Sequence, residues 1–483
     1  MSTDPAAGAT AAMLRARAAQ PAWAALPVAE RAHKMRAAGL AILQRAEELA
    51  QLIVTETQKP LAEAYSSEVL GVGDLFAYWC KHGPSQLAPR KGLVPALEMP
   101  GKKAFVQRVP RGVVACISPW NYPISLPMRT IVPALLAGNA VVLKPSEVTP
   151  RTGARLVQAL QACLGDVVTL VEGDGAAGAA LVQADPDLVV FTGSTRTGRK
   201  VAVACAERGI PCELELGGKD CAIVLDDCAV DRTAMGVAWG ILTNAGQNCS
   251  GIERVAVHQG IAHVFVPKLV AALERAARDV PELVTPAQRA IVERHVQDAL
   301  NRGAALLTGR LDADRALPPL LLTRVPADAA AWCDESFGPV AVLAQGGDDA
   351  ELLALANDSR YGLGASVWSA NATRAHAVAN QVRSGMVWIN NHSFSGALPD
   401  LPWTGMGDSG TGVTNSPDAL AHMTRPRLVV HDTNTKPEPW WYPYGDKLVA
   451  LMRVLVARQQ AGGIGATIKT LRALNARMAE LSK

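Results

Sequence analysis

A chain of 483 residues, 49% hydrophobic and 19% charged, has the make-up of a soluble globular protein with room for two or three domains. A net charge of +3 over that length is too slight to argue for nucleic acid, and no apolar run reaches the roughly 18 residues a membrane-spanning helix needs. Nine scattered cysteines without a C-x-x-C pair exclude a clustered zinc site and, with no continuous apolar core in Met1 to Gln20, lead to the expectation of a cytoplasmic protein with free thiols and no metal.

From Ala22 to about Cys80 the apolar spacing is helical, with a break at Lys59-Pro60. Lys103 to Arg108 reads as a strand. From Gly112 short apolar runs alternate with helical stretches: Val113 to Ile117, Ala140 to Leu143, Val167 to Val171, Leu188 to Phe191 and Cys221 to Leu225. That alternation predicts an α/β fold with a doubly wound parallel sheet, whose usual ligand is a nucleotide at the carboxyl ends of its strands. A second α/β block follows, from strand Val255 to His258 through helices Val264 to Arg278 and Pro286 to Arg302 up to Trp388-Ile389-Asn390. The boundary falls near Leu216-Gly217-Gly218, where paired glycines permit a hinge or a close backbone approach.

The predicted organisation is a cofactor domain from 1–100 and 110–215, a catalytic domain from 216–395, and bridging segments at 101–109 and 396–432. The strands Lys103 to Arg108 and Arg427 to His431 combine in the bridge, and an exposed edge there needs a partner, so a homodimer or homotetramer is expected. After Asp432 the character changes. Pro437 to Tyr444 is rich in proline and aromatics, and from Asp446 to Lys483 seven Lys/Arg face Asp446 and Glu480 for a net of +5. A basic amphipathic tail at 433–483 either packs on its own or a neighbouring subunit or lies on a membrane surface.

Between the two blocks lies Asn244-Ala245-Gly246-Gln247-Asn248-Cys249-Ser250. A cysteine between an apolar helix and a strand, just after Gly and Gln, sits where backbone N–H groups can face its sulfur and favour the thiolate nucleophile. The bland reading is a buried structural cysteine. Two glycine patterns compete for cofactor phosphates. Gly173-Asp174-Gly175-Ala176-Ala177-Gly178 is a formal G-x-G-x-x-G, but Asp185 and Asp187 come too early to hold a ribose. In Phe191-Thr192-Gly193-Ser194-Thr195-Arg196-Thr197-Gly198 a strand end, hydroxyls and a helix N-terminus converge on one anion site, and this second pattern is favoured.

Six ordered motifs then resemble the aldehyde dehydrogenase superfamily: Pro119-Trp120-Asn121-Tyr122-Pro123, Lys144-Pro145-Ser146-Glu147, Phe191-Thr192-Gly193-Ser194, Leu214-Glu215-Leu216-Gly217-Gly218-Lys219, Gly246-Gln247-Asn248-Cys249, and Glu335-Ser336-Phe337-Gly338-Pro339. The resemblance covers about Ala22 to Asp432. It implies that Cys249 attacks an aldehyde, that the Asn121 amide and the Cys249 backbone N–H hold the oxyanion, and that Glu215 activates the water that hydrolyses the thioester. It further implies an NAD site: Lys144 and Glu147 at the adenosine ribose, Glu335 at the nicotinamide ribose, Phe337 on the ring, and Ser194 on the pyrophosphate. Ile117, Trp120, Thr192, Gly193, Leu216 and Gly217 line the same cleft. Glu147 would repel a 2'-phosphate, which favours NAD over NADP, whereas Arg196 departs from the family pattern and could attract one. Tyr122, Arg129 and Trp403 fall on the substrate tunnel. Arg129 matches a position where some semialdehyde dehydrogenases hold a carboxylate, the plain alternative being an arginine in a salt bridge. Thr130, Gln58 and the short segment 279–286 also depart from the pattern. Rival readings are a CoA-acylating enzyme, a membrane-recruited enzyme for long-chain aldehydes, and a non-catalytic relative.

Overall fold

The computed structural model describes residues 4–95, 99–312, 316–461 and 463–482, and Met1 and Lys483 lie outside them. Its larger unit comprises Met1–Ala88 and Arg108–Arg425. A five-stranded parallel sheet there runs in the order Val168–Leu170, Ala140–Lys144, Val113–Ile117, Leu188–Thr192, Cys212–Glu215. Numbered along the chain this is 3-2-1-4-5, so the order reverses between Val113–Ile117 and Leu188–Thr192. In open α/β sheets it is at such a reversal, outside the carboxyl ends of the strands, that a ligand crevice forms. The central strands are buried along their whole length, which explains their unbroken apolar runs. The fifth strand escaped the sequence reading because it alternates Glu with apolar residues.

A second sheet in the same unit has seven strands: Ala305–Thr308, Leu320–Thr323, Val340–Gly346, Ile252–His258, Asp220–Val224, Gly364–Trp368 and Met386–Ile389. All pairings are parallel except that of Ala305–Thr308. The chain passes from one sheet to the other across Leu216 to Lys219.

The helical front piece starts earlier than the sequence predicted, at Pro5–Ala25 rather than at Ala22. Asp4 caps this helix by accepting from the Ala6 N–H, and Pro5 sits at its first position. It buries Ala9, Ala12, Met13 and Ala16, a face so small that it has little hydrophobic contrast. The next helices are Val28–Leu43, Ala46–Thr57 and Leu70–Gln86, with a π-helical turn at Ala64–Val69. Gln58 ends Ala46–Thr57 with φ +59°, a left-handed conformation that glycine adopts without strain.

The segment expected to bridge, 396–432, divides. Up to Arg425 it belongs to the larger unit, where Leu216 N–H donates to Ser409 O and the Thr411 and Gly412 N–H groups donate to Leu214 O.

The smaller unit comprises Pro89–Gln107 and Pro426–Lys483. A three-stranded sheet orders Arg90–Lys91, Lys102–Pro110 and Thr424–Asp432, so the predicted pair of bridging strands are neighbours. An aromatic loop and the helices Asp446–Ala461 and Gly463–Leu481 follow.

Candidate active site

Cys249 follows helix Val230–Leu242 and a tight turn in which Asn244, Ala245 and Gly246 all have positive φ. A Cβ on Gly246 would stand 2.0 Å from Gly338 O, so only glycine lets the turn press that closely. At Gly218 a Cβ would meet Cys249 O at 2.2 Å, and at Gly217 it would meet Glu335 Oε2 at 2.3 Å. The paired glycines therefore serve close approach: they let the crossover between the sheets pass against the cysteine backbone and the Glu335 carboxyl at once.

Cys249 Sγ lies 4.0 Å from Glu215 Oε1. Burial, then the Glu215 and Glu335 carboxyls, push its thiol well above the ordinary range, while the Arg129 guanidinium pulls it down. The resting nucleophile is thus a thiol. Burial also raises the Glu215 carboxyl, opposed chiefly by Arg129. Thr192 Oγ1 donates to Glu215 Oε2 at 3.4 Å. The Trp403 indole N–H also favours ionised Glu215, although it makes no hydrogen bond of ordinary geometry. A raised carboxyl beside a raised thiol is a pair that can pass a proton.

Asn121 comes from the loop after strand Val113–Ile117. Its Nδ2 donates to Gln247 O at 3.1 Å, which ties the amide to the cysteine turn. Its carbonyl accepts from Lys59 Nζ at 2.9 Å and from Asn244 Nδ2 at 3.1 Å. Lys59 is wholly buried and paired with Glu68 at 2.7 Å. The second Glu68 oxygen accepts from the N–H groups of Ile124 and Ser125. This buried pair fixes the Asn121 loop, and sequence reasoning missed Glu68 because nothing in its local pattern marks it. Tyr122 packs its ring 4.0 Å from Lys59 Nζ.

The crevice at the strand-order reversal gathers the predicted cofactor residues. Ile117 and Thr192 end its two central strands, with Trp120 on the adjoining loop and Gly193 and Ser194 opening helix Thr195–Glu207. Ser194 caps this helix by accepting from the Thr197 N–H. The rival pattern opens helix Gly175–Gln183, but Asp174 caps it with a carboxylate, which disfavours an anion there. Lys144 is buried, bonded to Pro145 O at 2.7 Å and 3.6 Å from the half-exposed Glu147. Glu335 is pushed up to about 8, first by burial and then by Glu253, with the Gly218 N–H holding it down. Phe337 meets Trp120 edge to face at 5.6 Å. The turn carrying Glu335 and Phe337 is pinned by Glu253, which accepts from the Ser336 and Phe337 N–H groups and pairs with Lys219. Leu216 stands 2.4 Å from where a Cβ on Gly198 would lie, against the helix that Ser194 caps. A helix-end anion site and a buried lysine at the end of strand Ala140–Lys144 in the same sheet fit a dinucleotide.

On the other side of Cys249 a cavity of about 330 Å³ opens, lined mainly by apolar side chains. Tyr122, Arg129 and Trp403 line it as predicted, joined by Trp239, Leu126 and Phe394, which the sequence reading missed. The Arg129 guanidinium lies 4.9 Å over the Trp403 ring. Among the described residues no carboxylate forms an ion pair with Arg129, and its Nη1 is buried without a hydrogen-bond partner. Nor does any group of three or more His, Cys, Asp or Glu among them suit a metal.

Residues 2–429 match the model of the aldehyde dehydrogenase family. The chain is 35% identical over 441 residues to the 4,4'-diapolycopene aldehyde oxidase of a Methylomonas species, covering 89% of this chain and 83% of that protein. It is 34% identical over 460 residues to the succinate-semialdehyde dehydrogenase [NADP(+)] of Deinococcus radiodurans, covering 88% and 90% respectively. Among solved structures, betaine aldehyde dehydrogenase of Staphylococcus aureus in complex with NAD+ superposes with a TM-score of 0.84 at 28% identity, over 90% of this chain and 89% of that one.

Proposed function

The chain belongs to the aldehyde dehydrogenase family and oxidises aldehydes to carboxylic acids, and we propose that it does so with NAD, through a thioester on Cys249, on aldehydes bearing a carboxylate at the far end. The observation that carries the substrate class is the Arg129 Nη1, buried without a partner in an otherwise mainly apolar cavity that also holds Cys249. A buried guanidinium nitrogen without a hydrogen-bond partner is costly, and a carboxylate oxygen is its natural complement. The Deinococcus relative, named for a substrate of that class, supports the reading.

Glu215 takes the Cys249 proton as Sγ adds to the aldehyde carbon. The oxyanion then draws on the Asn121 amide and the Cys249 backbone N–H, donors set in place before the charge develops. Bound NAD would supply the acceptor for the hydride that leaves the substrate carbon. Lys144, Glu147, Ser194 and Glu335 would hold it, and the carboxylate of Glu147 favours NAD over NADP. Once Glu215 has passed the first proton to solvent, it withdraws a proton from the water that attacks the thioester, and Cys249 Sγ leaves as the thiolate, so that water rather than CoA is the acceptor. We assign a homo-oligomeric contact to the edge strand Thr424–Asp432, where Leu428 and Val430 are 65% and 53% exposed.

Steady-state rates with NAD and NADP on succinate semialdehyde, aliphatic aldehydes of rising length and one aromatic aldehyde test this. The semialdehyde is expected to lead, and Arg129→Leu to raise its KM about 100-fold beyond the smaller loss that all aldehydes share because Arg129 also favours ionised Cys249 and Glu215. Equal losses on all substrates, or none, would overturn the substrate class and leave the family chemistry untouched.

A further inference from the structure

The last two helices of the smaller unit pack on each other as a hairpin, turned back at Gly463 with φ +86°. The first, Asp446–Ala461, buries Leu448 and Leu451, yet leaves Val449, Met452 and Val456 at 47%, 38% and 55% exposure. These recur at i, i+3 and i+7. The second, Gly463–Leu481, buries Thr470 and Arg477 and leaves Ile464, Ile468 and Leu471 at 82%, 47% and 42%. These recur at i, i+4 and i+7. At about 100° per residue each exposed stripe lies roughly 120° round from its helix's packed side, in the same rotational sense. For two antiparallel neighbours a shared sense puts both stripes on one side of the hairpin.

That side is flanked by charge of one sign. Arg453 borders the first stripe, and Arg472 borders the second. Tyr444 joins Val449, Met452 and Val456 in lining an apolar groove, stacked on the exposed Tyr442 at 4.3 Å. Buried Arg477 fixes this loop by donating to the carbonyls of Pro439, Trp441 and Pro443.

The geometry points to this face lying flat on an anionic lipid surface, its apolar stripes in the headgroup boundary and Arg453 and Arg472 on the lipid phosphates. Three observations favour that occupant. No helix among the described residues is long and apolar enough to cross a membrane, so an amphipathic hairpin lies in the interface plane. Its basic flanks and exposed Tyr and Trp side chains are the groups that settle at a negatively charged headgroup layer. A second copy docked through the same face about a two-fold axis would instead set Arg453 and Arg472 against the same two arginines of the other copy.

Flotation of the full chain with vesicles tests the proposal. Vesicles of phosphatidylcholine alone are compared with vesicles carrying about 30% phosphatidylglycerol, at low and raised salt. The wild-type chain is expected to float about tenfold better with the anionic vesicles and to lose that advantage in salt. Ile464→Ser with Ile468→Ser and Leu471→Ser, and separately Arg453→Glu with Arg472→Glu, should each cut flotation about tenfold while leaving native mass and turnover of a soluble aldehyde unchanged. Absence of flotation with either vesicle, or equal flotation that ignores salt and both variants, overturns it. So does a change in native mass without a change in lipid binding, which would make the face a subunit contact.

Discussion

At the scale of single residues the site is a set of acids held away from their ordinary state. Glu215 works only when ionised, and burial raises its carboxyl, so turnover is expected to fall on the acid side of neutrality at a pH above the usual carboxylate range. A pH profile of kcat checks this. Glu215→Gln should slow release of the first equivalent of reduced cofactor as well as steady turnover, the latter by about 10²–10⁴-fold, and a rapid-mixing burst measurement separates the two losses. Asp220 carries a different consequence. It is pushed up to about 8 by burial, so the folded chain keeps a proton that the unfolded chain has released. Its stabilising contribution is whole below the ordinary carboxylate range and is lost as pH climbs through about 8. The unfolding temperature should therefore fall between pH 5 and 8, and Asp220→Asn should flatten that slope.

At the scale of elements, much of the site was legible because its residues sit at strand ends and turns. The strands Val113–Ile117 and Leu188–Thr192 announce themselves as apolar runs, and the glycines around Cys249 mark the turns that aim it. What stayed hidden was long-range. Glu68 and Glu253 each hold a catalytic or cofactor loop from a distant element, and a buried carboxylate paired with a lysine leaves no local signature. Strand Cys212–Glu215 hid because Glu213 and Glu215 break its apolar pattern, and helix Pro5–Ala25 because alanine buries well but contrasts little. Two substitutions test the turn arguments. Gln58→Gly relieves the strain of a positive φ at a helix end and should stabilise by about 0.5–1 kcal/mol in denaturant titration. Gly246→Ala should cost at least about 2 kcal/mol and most activity, since its Cβ would collide with Gly338 O in a left-handed turn.

At the scale of the whole molecule, the catalytic cysteine and the cofactor crevice belong to one unit built on two sheets, and Leu216 to Lys219 joins them. A ligand in the crevice should therefore steady both sheets together. NAD is expected to raise the unfolding temperature in a concentration-dependent way and NADP to do so less, with Glu147→Ser narrowing the gap in a thermal-shift titration. Buried Arg477 gives the other unit a similar indivisibility. One guanidinium near the end of the chain satisfies three carbonyls of the aromatic loop, so the loop and the last helix form a clasp that is either shut or sprung. Its arginine is a tryptic cleavage site withheld from protease while the clasp is shut. Shortening the chain from its carboxyl end should thus have little effect until Arg477 is reached, and then release the loop in a single step.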